Sequence, residues 1–116
     1  MHAHEMPDAE VDRLFHALAD ATRRDIVRRV MHADCSISEL ARGYAMSMTA
    51  VQKHVSVLQE AGLVAKRRQG REQRVAGRLD AVERAQHQLE RLEQIWRDRF
   101  DRMGTVLSEP AAGGVA

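Results

Sequence analysis

The sequence predicts a mainly α-helical fold with one small β-hairpin, and three observations carry that prediction. Apolar residues recur at three- and four-residue spacing along most of the chain, the signature of amphipathic helices. One short basic stretch around Gly70 reads instead as two strands and a tight turn. With two phenylalanines, one tryptophan and one tyrosine, the core falls to leucine, valine, alanine and methionine, which suits packed helices. The 116 residues are enough for one domain with a modest core. We expect a flexible segment over 1–8, a folded domain over 9–106 and a loose tail over 107–116.

Val11, Leu14, Phe15 and Leu18 mark one face of the first helix. Asp20 and Thr22 interrupt it and can cap the next, where Ile26, Val27 and Val30 form a stripe. Arg23, Arg24, Arg28 and Arg29 lie mostly away from that stripe. They read as solvated and paired with nearby acids, with backbone contact by some as the alternative. Ser36-Ile37-Ser38-Glu39 fits a capping box and opens a short helix with Leu40 and Ala41, ending near Gly43. Tyr44-Ala45-Met46 supplies a turn. Ser47 caps a further helix in which Val51, Val55 and Leu58 face inward, and Gly62 closes it. Two short helices across a tight turn make a helix-turn-helix.

Leu63 to Arg68 reads as a strand, Gln69-Gly70-Arg71-Glu72 as the hairpin tip, and Gln73 to Ala76 as the return. The longest helix runs from about Asp80 to Met103. Val82, Ala85, Leu89, Leu92, Trp96 and Met103 lie along one side, widened by Ile95 and Phe100. That stripe is longer than a domain of this size covers by itself. The economical solution is a dimer in which the first and last helices pack across a two-fold axis. Val11, Leu14, Phe15, Leu18, Leu89, Leu92, Trp96 and Met103 are its expected interface; intrachain core is the simpler reading of each.

The net charge is only +1, but it is unevenly placed. Residues 42–78 carry eight basic and two acidic side chains, whereas the flanking segments are net acidic. Such a local field can hold a polyanion on a nearly neutral protein. On the helix from Ser47, the residues Ser47, Thr49, Gln52, Lys53 and Ser56 are candidates for base edges in a major groove. Gln52 can pair with adenine and Lys53 with guanine, while Thr49 can pair or touch a thymine methyl. His54 is expected on the phosphate side. Arg67, Arg68, Arg71, Arg74 and Arg78 would mainly meet phosphates, with Arg71 at a minor groove. No nucleophile with its base, no phosphate loop and no closed metal motif stands out, so an enzyme is not expected. The chain has no apolar run long enough for a membrane span, and its acidic start does not read as a signal peptide. The lone Cys35 cannot form an internal disulfide, which points to a reducing cytoplasm.

These motifs, in this order and spacing, resemble the ArsR family of bacterial winged helix-turn-helix repressors. The resemblance runs over about residues 11–103. It is strongest at Leu18-Ala19-Asp20-Ala21-Thr22-Arg23-Arg24-Asp25-Ile26-Val27, at Ser38-Glu39-Leu40-Ala41, at Met46 through His54, and at Leu58-Gln59-Glu60-Ala61-Gly62-Leu63-Val64. The segment Trp96 to Asp101 is similar to the family branch whose last helix ends in a tryptophan-containing segment. The resemblance implies a homodimer joined by its first and last helices, a recognition helix at 48–60 and a wing near 64–76. Its target would be double-stranded DNA, imperfect inverted repeats in promoters, with release by an inducer in many members.

One branch of the family senses metals through a Cys-x-Cys pair, and the matching positions here are Ser36 and Ser38. Another places carboxylates and histidines on the last helix, where this chain has Asp80, Glu83, His87 and Glu90. His2 and His4, with His16 or His87, form a further candidate set, and imidazoles with open coordination suit nickel or zinc. The bland reading of each is surface. Besides a repressor, metal-responsive or not, the sequence leaves two other readings: an architectural protein without sequence preference, and an adaptor that binds a protein through its long helix.

Overall fold

The computed structural model describes residues 6–107 of the chain, and His2 and His4 lie outside them. The elements run α1 (Asp8–Leu18), α2 (Ala21–His32), β1 (Cys35–Ser36), α3 (Ile37–Tyr44), α4 (Met48–Glu60), β2 (Val64–Gln69), β3 (Glu72–Gly77) and α5 (Leu79–Leu107). They divide into two compact units, one up to Ala85 and one from Gln86 onward.

Local chemistry sets the helix starts of the first unit. The Asp20 carboxylate accepts the Arg23 backbone N–H at 3.0 Å and caps α2; Thr22, the other expected cap, lies inside the helix. At α3 both halves of the capping box form: Ser36 Oγ accepts from Glu39 N at 3.1 Å, and Glu39 Oε1 accepts from Ser36 N at 2.7 Å. Ser47 Oγ accepts from Ala50 N and starts α4. The fold class is as expected, with one correction. The hairpin is not alone, because Cys35 and Ser36 pair antiparallel with Val75 and Arg74, giving a three-stranded sheet in the order β1-β3-β2.

The ends of α3 and α4 are closed by left-handed residues. After α4, Leu63 N donates to Leu58 O at 2.9 Å while Gly62 sits at φ +79°, the double-bonded stop that glycine favours. α3 ends in the same way, with Met46 N donating to Ala41 O, but the left-handed residue is Ala45 at φ 54°. A Cβ there costs about 1–2 kcal/mol, partly offset by the more restricted unfolded chain. Ala45→Gly is therefore expected to stabilise the protein by about 0.5–1 kcal/mol and raise the thermal midpoint by a few degrees. A lowered midpoint would contradict this account of the turn.

The core joins one or more side chains from every helix of the first unit: Leu14 and Ala17, then Ile26, Val27 and Val30, then Ile37, Leu40 and Ala41, then Val51, Val55 and Leu58. Leu63, Val64 and Val75 bring the sheet onto it, and Ala81 and Ala85 bring the start of α5. Leu14 corrects an expectation. It is fully buried in this chain's own core and so underlies any dimer interface instead of lying on it. Val11, Phe15 and Leu18 remain half-buried.

In the second unit, the polar side of α5 carries pairs four residues apart, such as Arg97 with Glu93 at 2.7 Å and Gln94 with Asp98 at 2.9 Å. Such pairs stabilise a helix that has little covering it. Apolar side chains of the same helix lie open as well: Leu89, Leu92, Ile95, Trp96, Phe100 and Met103 are all exposed. No helix of the described residues is long and apolar enough to cross a membrane.

Candidate nucleic-acid interface

Burial of Val51, Val55 and Leu58 fixes the roll of α4, and therefore which residues it turns outward. Thr49, Gln52 and Lys53 are exposed and Ser56 is half-buried; their three- and four-residue spacing puts them on one face. Ser47 is exposed but already accepts the Ala50 N–H, which leaves its hydroxyl proton free to donate. Met48, not among the expected site residues, is 49% exposed on the same first turn. Its neighbourhood to Ser47 and Thr49 was the only sequence signal that could have found it.

The wing is a two-residue hairpin. Gln69 pairs with Glu72, leaving Gly70 and Arg71 at the tip. Gly70 has φ +62° and Arg71 does not share the positive φ, as in a hairpin turn with glycine at its first central position. Arg68 and Arg71 line a cleft of about 270 Å³ together with Gln52 and Met48 of α4, Ser36, Ile37 and Ser38 at the start of α3, and Glu72 and Gln73. The fold thus brings the expected Gln52, Arg68 and Arg71 to one place.

The other arginines expected at the site are engaged elsewhere. Arg67 lies 3.9 Å from the Asp34 carboxylate and Arg78 lies 3.4 Å from Asp80. Arg74 bonds the Asp34 carbonyl and lies near Glu39 and Glu72. Among the described residues Arg68 and Arg71 have no carboxylate partner. His54 leans away from the cleft, with Nδ1 3.5 Å from Arg23 Nη1. Arg23 in turn donates to the carbonyls of Ala17 and His16, and Arg24 to that of Leu18. These arginines satisfy the open end of α1 instead of the acids expected for them; among the described residues Arg28 takes such a partner, Asp25 at 3.0 Å.

The turn that sets α3 against α4 is held from α2. Tyr44 Oη donates to Asp25 Oδ2 at 2.5 Å, and the Arg29 guanidinium stands 5.1 Å above the Tyr44 ring. The Tyr44 bond, with Arg28 beside it, holds the Asp25 carboxyl below the usual aspartate range. Burial, reinforced by the bond to Asp25, pushes the Tyr44 hydroxyl up. Backbone N–H donors lower Asp20 and Glu39 in the same way, from Arg23 and Ser36 respectively. Carboxyls depressed by folding contribute stability above their unfolded values near 4, and that stability is lost as pH falls through the folded values. The thermal midpoint is expected to be flat near neutrality and to fall below about pH 4, with Asp25→Asn making the fall shallower. A midpoint indifferent to acid would contradict these assignments.

Among the described residues no group of three or more His, Cys, Asp and Glu side chains could hold a metal ion. His16, Glu83, His87 and Glu90 do not assemble into one, and Glu90 instead accepts from Gln86 at 3.3 Å. Cys35 is half-buried, with Sγ 3.5 Å from the Ala33 carbonyl.

Residues 18–67 match the model of a helix-turn-helix domain family. Over 59 residues, 51% of the chain, the sequence is 48% identical to the HTH-type transcriptional regulator Rv2034 of Mycobacterium tuberculosis, and the match spans 55% of that relative. An ArsR-like transcriptional regulator from Rhodococcus sp. RHA1 superposes with a TM-score of 0.76 at 33% identity, covering 87% of this chain and 95% of that one. The homodimeric winged helix-turn-helix DNA-binding domain of Mb0332 from Mycobacterium bovis gives a TM-score of 0.61 at 25% identity, covering 78% of this chain and 80% of that one.

Proposed function

The chain belongs to the ArsR-type winged helix-turn-helix transcriptional regulators, and from that premise we propose that it is a homodimeric repressor that binds imperfect inverted repeats of double-stranded DNA in promoters. The observation that carries this reading is the cleft shared by α4 and the wing. There an exposed amide, Gln52, and two arginines without carboxylate partners, Arg68 and Arg71, face the same space. A base-reading side chain beside phosphate-binding cations is the division of labour that duplex recognition needs. In this reading α4 enters the major groove with Thr49, Gln52, Lys53 and Ser56 outward, while Arg71 at the wing tip reaches the backbone or the minor groove.

Two copies are needed because one short helix reads only a few base pairs. In this reading a second protomer covers the open side chains of α5 from Leu89 to Met103, and it covers Val11, Phe15 and Leu18 of α1. The Mb0332 domain is homodimeric by its own description, which supports the same assembly here. A cytoplasmic location goes with this function.

Retention of fragments from the source genome at near-physiological salt tests the reading. Recovery of a few loci upstream of coding regions is the expected result, and an even spread across the genome would count against a sequence-specific repressor. Repeating the retention with nickel, zinc or chelator shows whether a metal releases the DNA.

A further inference from the structure

The wing carries a problem of its own making. Arg67 on β2 and Arg74 on β3 face each other in register, and like charges directly opposed across a ribbon are destabilising. The two are relieved differently. Arg67 stays 70% exposed, with the Asp34 carboxylate at 3.9 Å. The Arg74 side chain is 24% exposed: its Nη2 donates to the Asp34 carbonyl at 3.1 Å, and its Nη1 lies 3.3 Å from Glu72 Oε1 and 3.6 Å from Glu39 Oε1.

Glu39 links this arrangement to the helix-turn-helix. The same Oε1 that faces Arg74 accepts the Ser36 N–H at 2.7 Å and closes the capping box of α3. Ser36 is also the residue of β1 that pairs with Arg74 across the sheet. Main-chain pairing and a charged side-chain tie therefore act at one rung, between the base of the wing and the start of α3. The start of α3 and the wing then line the cleft with Gln52.

We propose that Arg74 is the positioning residue of the wing: it locks β3 against the α3 capping box so that Arg68 and Arg71 stand beside Gln52, and it gives nothing to a phosphate itself. With both terminal nitrogens committed and two carboxylates beside them, its guanidinium adds little field at the DNA surface. This inference rests on the DNA-binding reading above, and it removes Arg74 from the set of phosphate contacts that the sequence suggested.

The test compares Arg74→Gln, Arg74→Lys and Arg68→Gln in the full chain. In the free protein, amide exchange in the β1–β3 rung is expected to quicken about tenfold in Arg74→Gln while α4 amides hold their rates, the mark of local rather than global opening. On the duplex that the wild type prefers, Arg74→Gln is expected to lose about tenfold in affinity, because the wing is no longer preorganised. Random duplex should lose affinity to the same degree, because the arginines that the wing positions meet phosphates on any sequence; the salt slope should stay near wild type, and Arg74→Lys should fall between. Arg68→Gln should instead flatten the salt slope by about one unit per bound protomer. A slope flattened equally by Arg74→Gln, or unchanged exchange at the rung, overturns the proposal. A wild type that prefers no duplex contradicts the DNA-binding reading instead, and the exchange measurement still decides whether Arg74 holds the wing.

Discussion

Leu92→Glu with Trp96→Glu is expected to turn the protein into a folded monomer and to lower its affinity for its operator by about a hundredfold or more. Both side chains are over 60% exposed on the single chain, so neither contributes to its core and the substitutions should leave the first unit intact. In the dimer they would be covered, and a tryptophan alone buries about 150–250 Å². Two carboxylates per protomer would then enter an apolar seam, where an unpaired charge costs several kcal/mol. DNA affinity falls with the dimer because two linked reading helices rebind at an effective concentration in the millimolar range, whereas single ones must bind independently. Sedimentation and circular dichroism check both halves. A variant that stays dimeric, or a monomer that binds as tightly as the wild type, would show that α5 is not the seam.

Removing Arg68 and Arg71 together should weaken binding to every duplex alike and flatten the dependence of log affinity on log salt. Each arginine that neutralises a phosphate releases about one counterion, so the slope should fall by about two units per bound protomer. Gln52→Ala should act differently. It should leave the salt slope unchanged and relax preference at one base pair, at a cost of about 1–3 kcal/mol against the best sequence. The contrast matters because the three side chains line one cleft yet are assigned different work. An unchanged slope in the double arginine variant would mean that the wing does not touch phosphate.

What could be read from the sequence was what is decided locally. The Ser36–Glu39 box, the Asp20 and Ser47 caps and the Gly70 tip all formed where their chemistry places them, because a cap or a tight turn is settled within four residues. What escaped was decided at long range. β1 is two residues long and exists only because β3 lies beside it. Arg74 finds the Asp34 carbonyl forty positions away along the chain, and nothing in a basic run distinguishes it from Arg71. Leu14 shows the limit of periodicity, which marks a face as apolar without saying whether this chain or another covers it. For the candidate site, Gln52, Arg68 and Arg71 were legible because they stand at polar positions of a reading helix and a hairpin tip. The engagement of Arg23 with the carbonyls at the end of α1 was not.

The most direct test of the central claim, that this chain reads DNA as a two-fold dimer, is selection from a random duplex pool at near-physiological salt. The expected product is an inverted repeat whose half-sites lie one helical turn apart, roughly 10 base pairs, bound by two protomers. A pool that emerges without sequence preference, or a single half-site bound by one protomer, would contradict it.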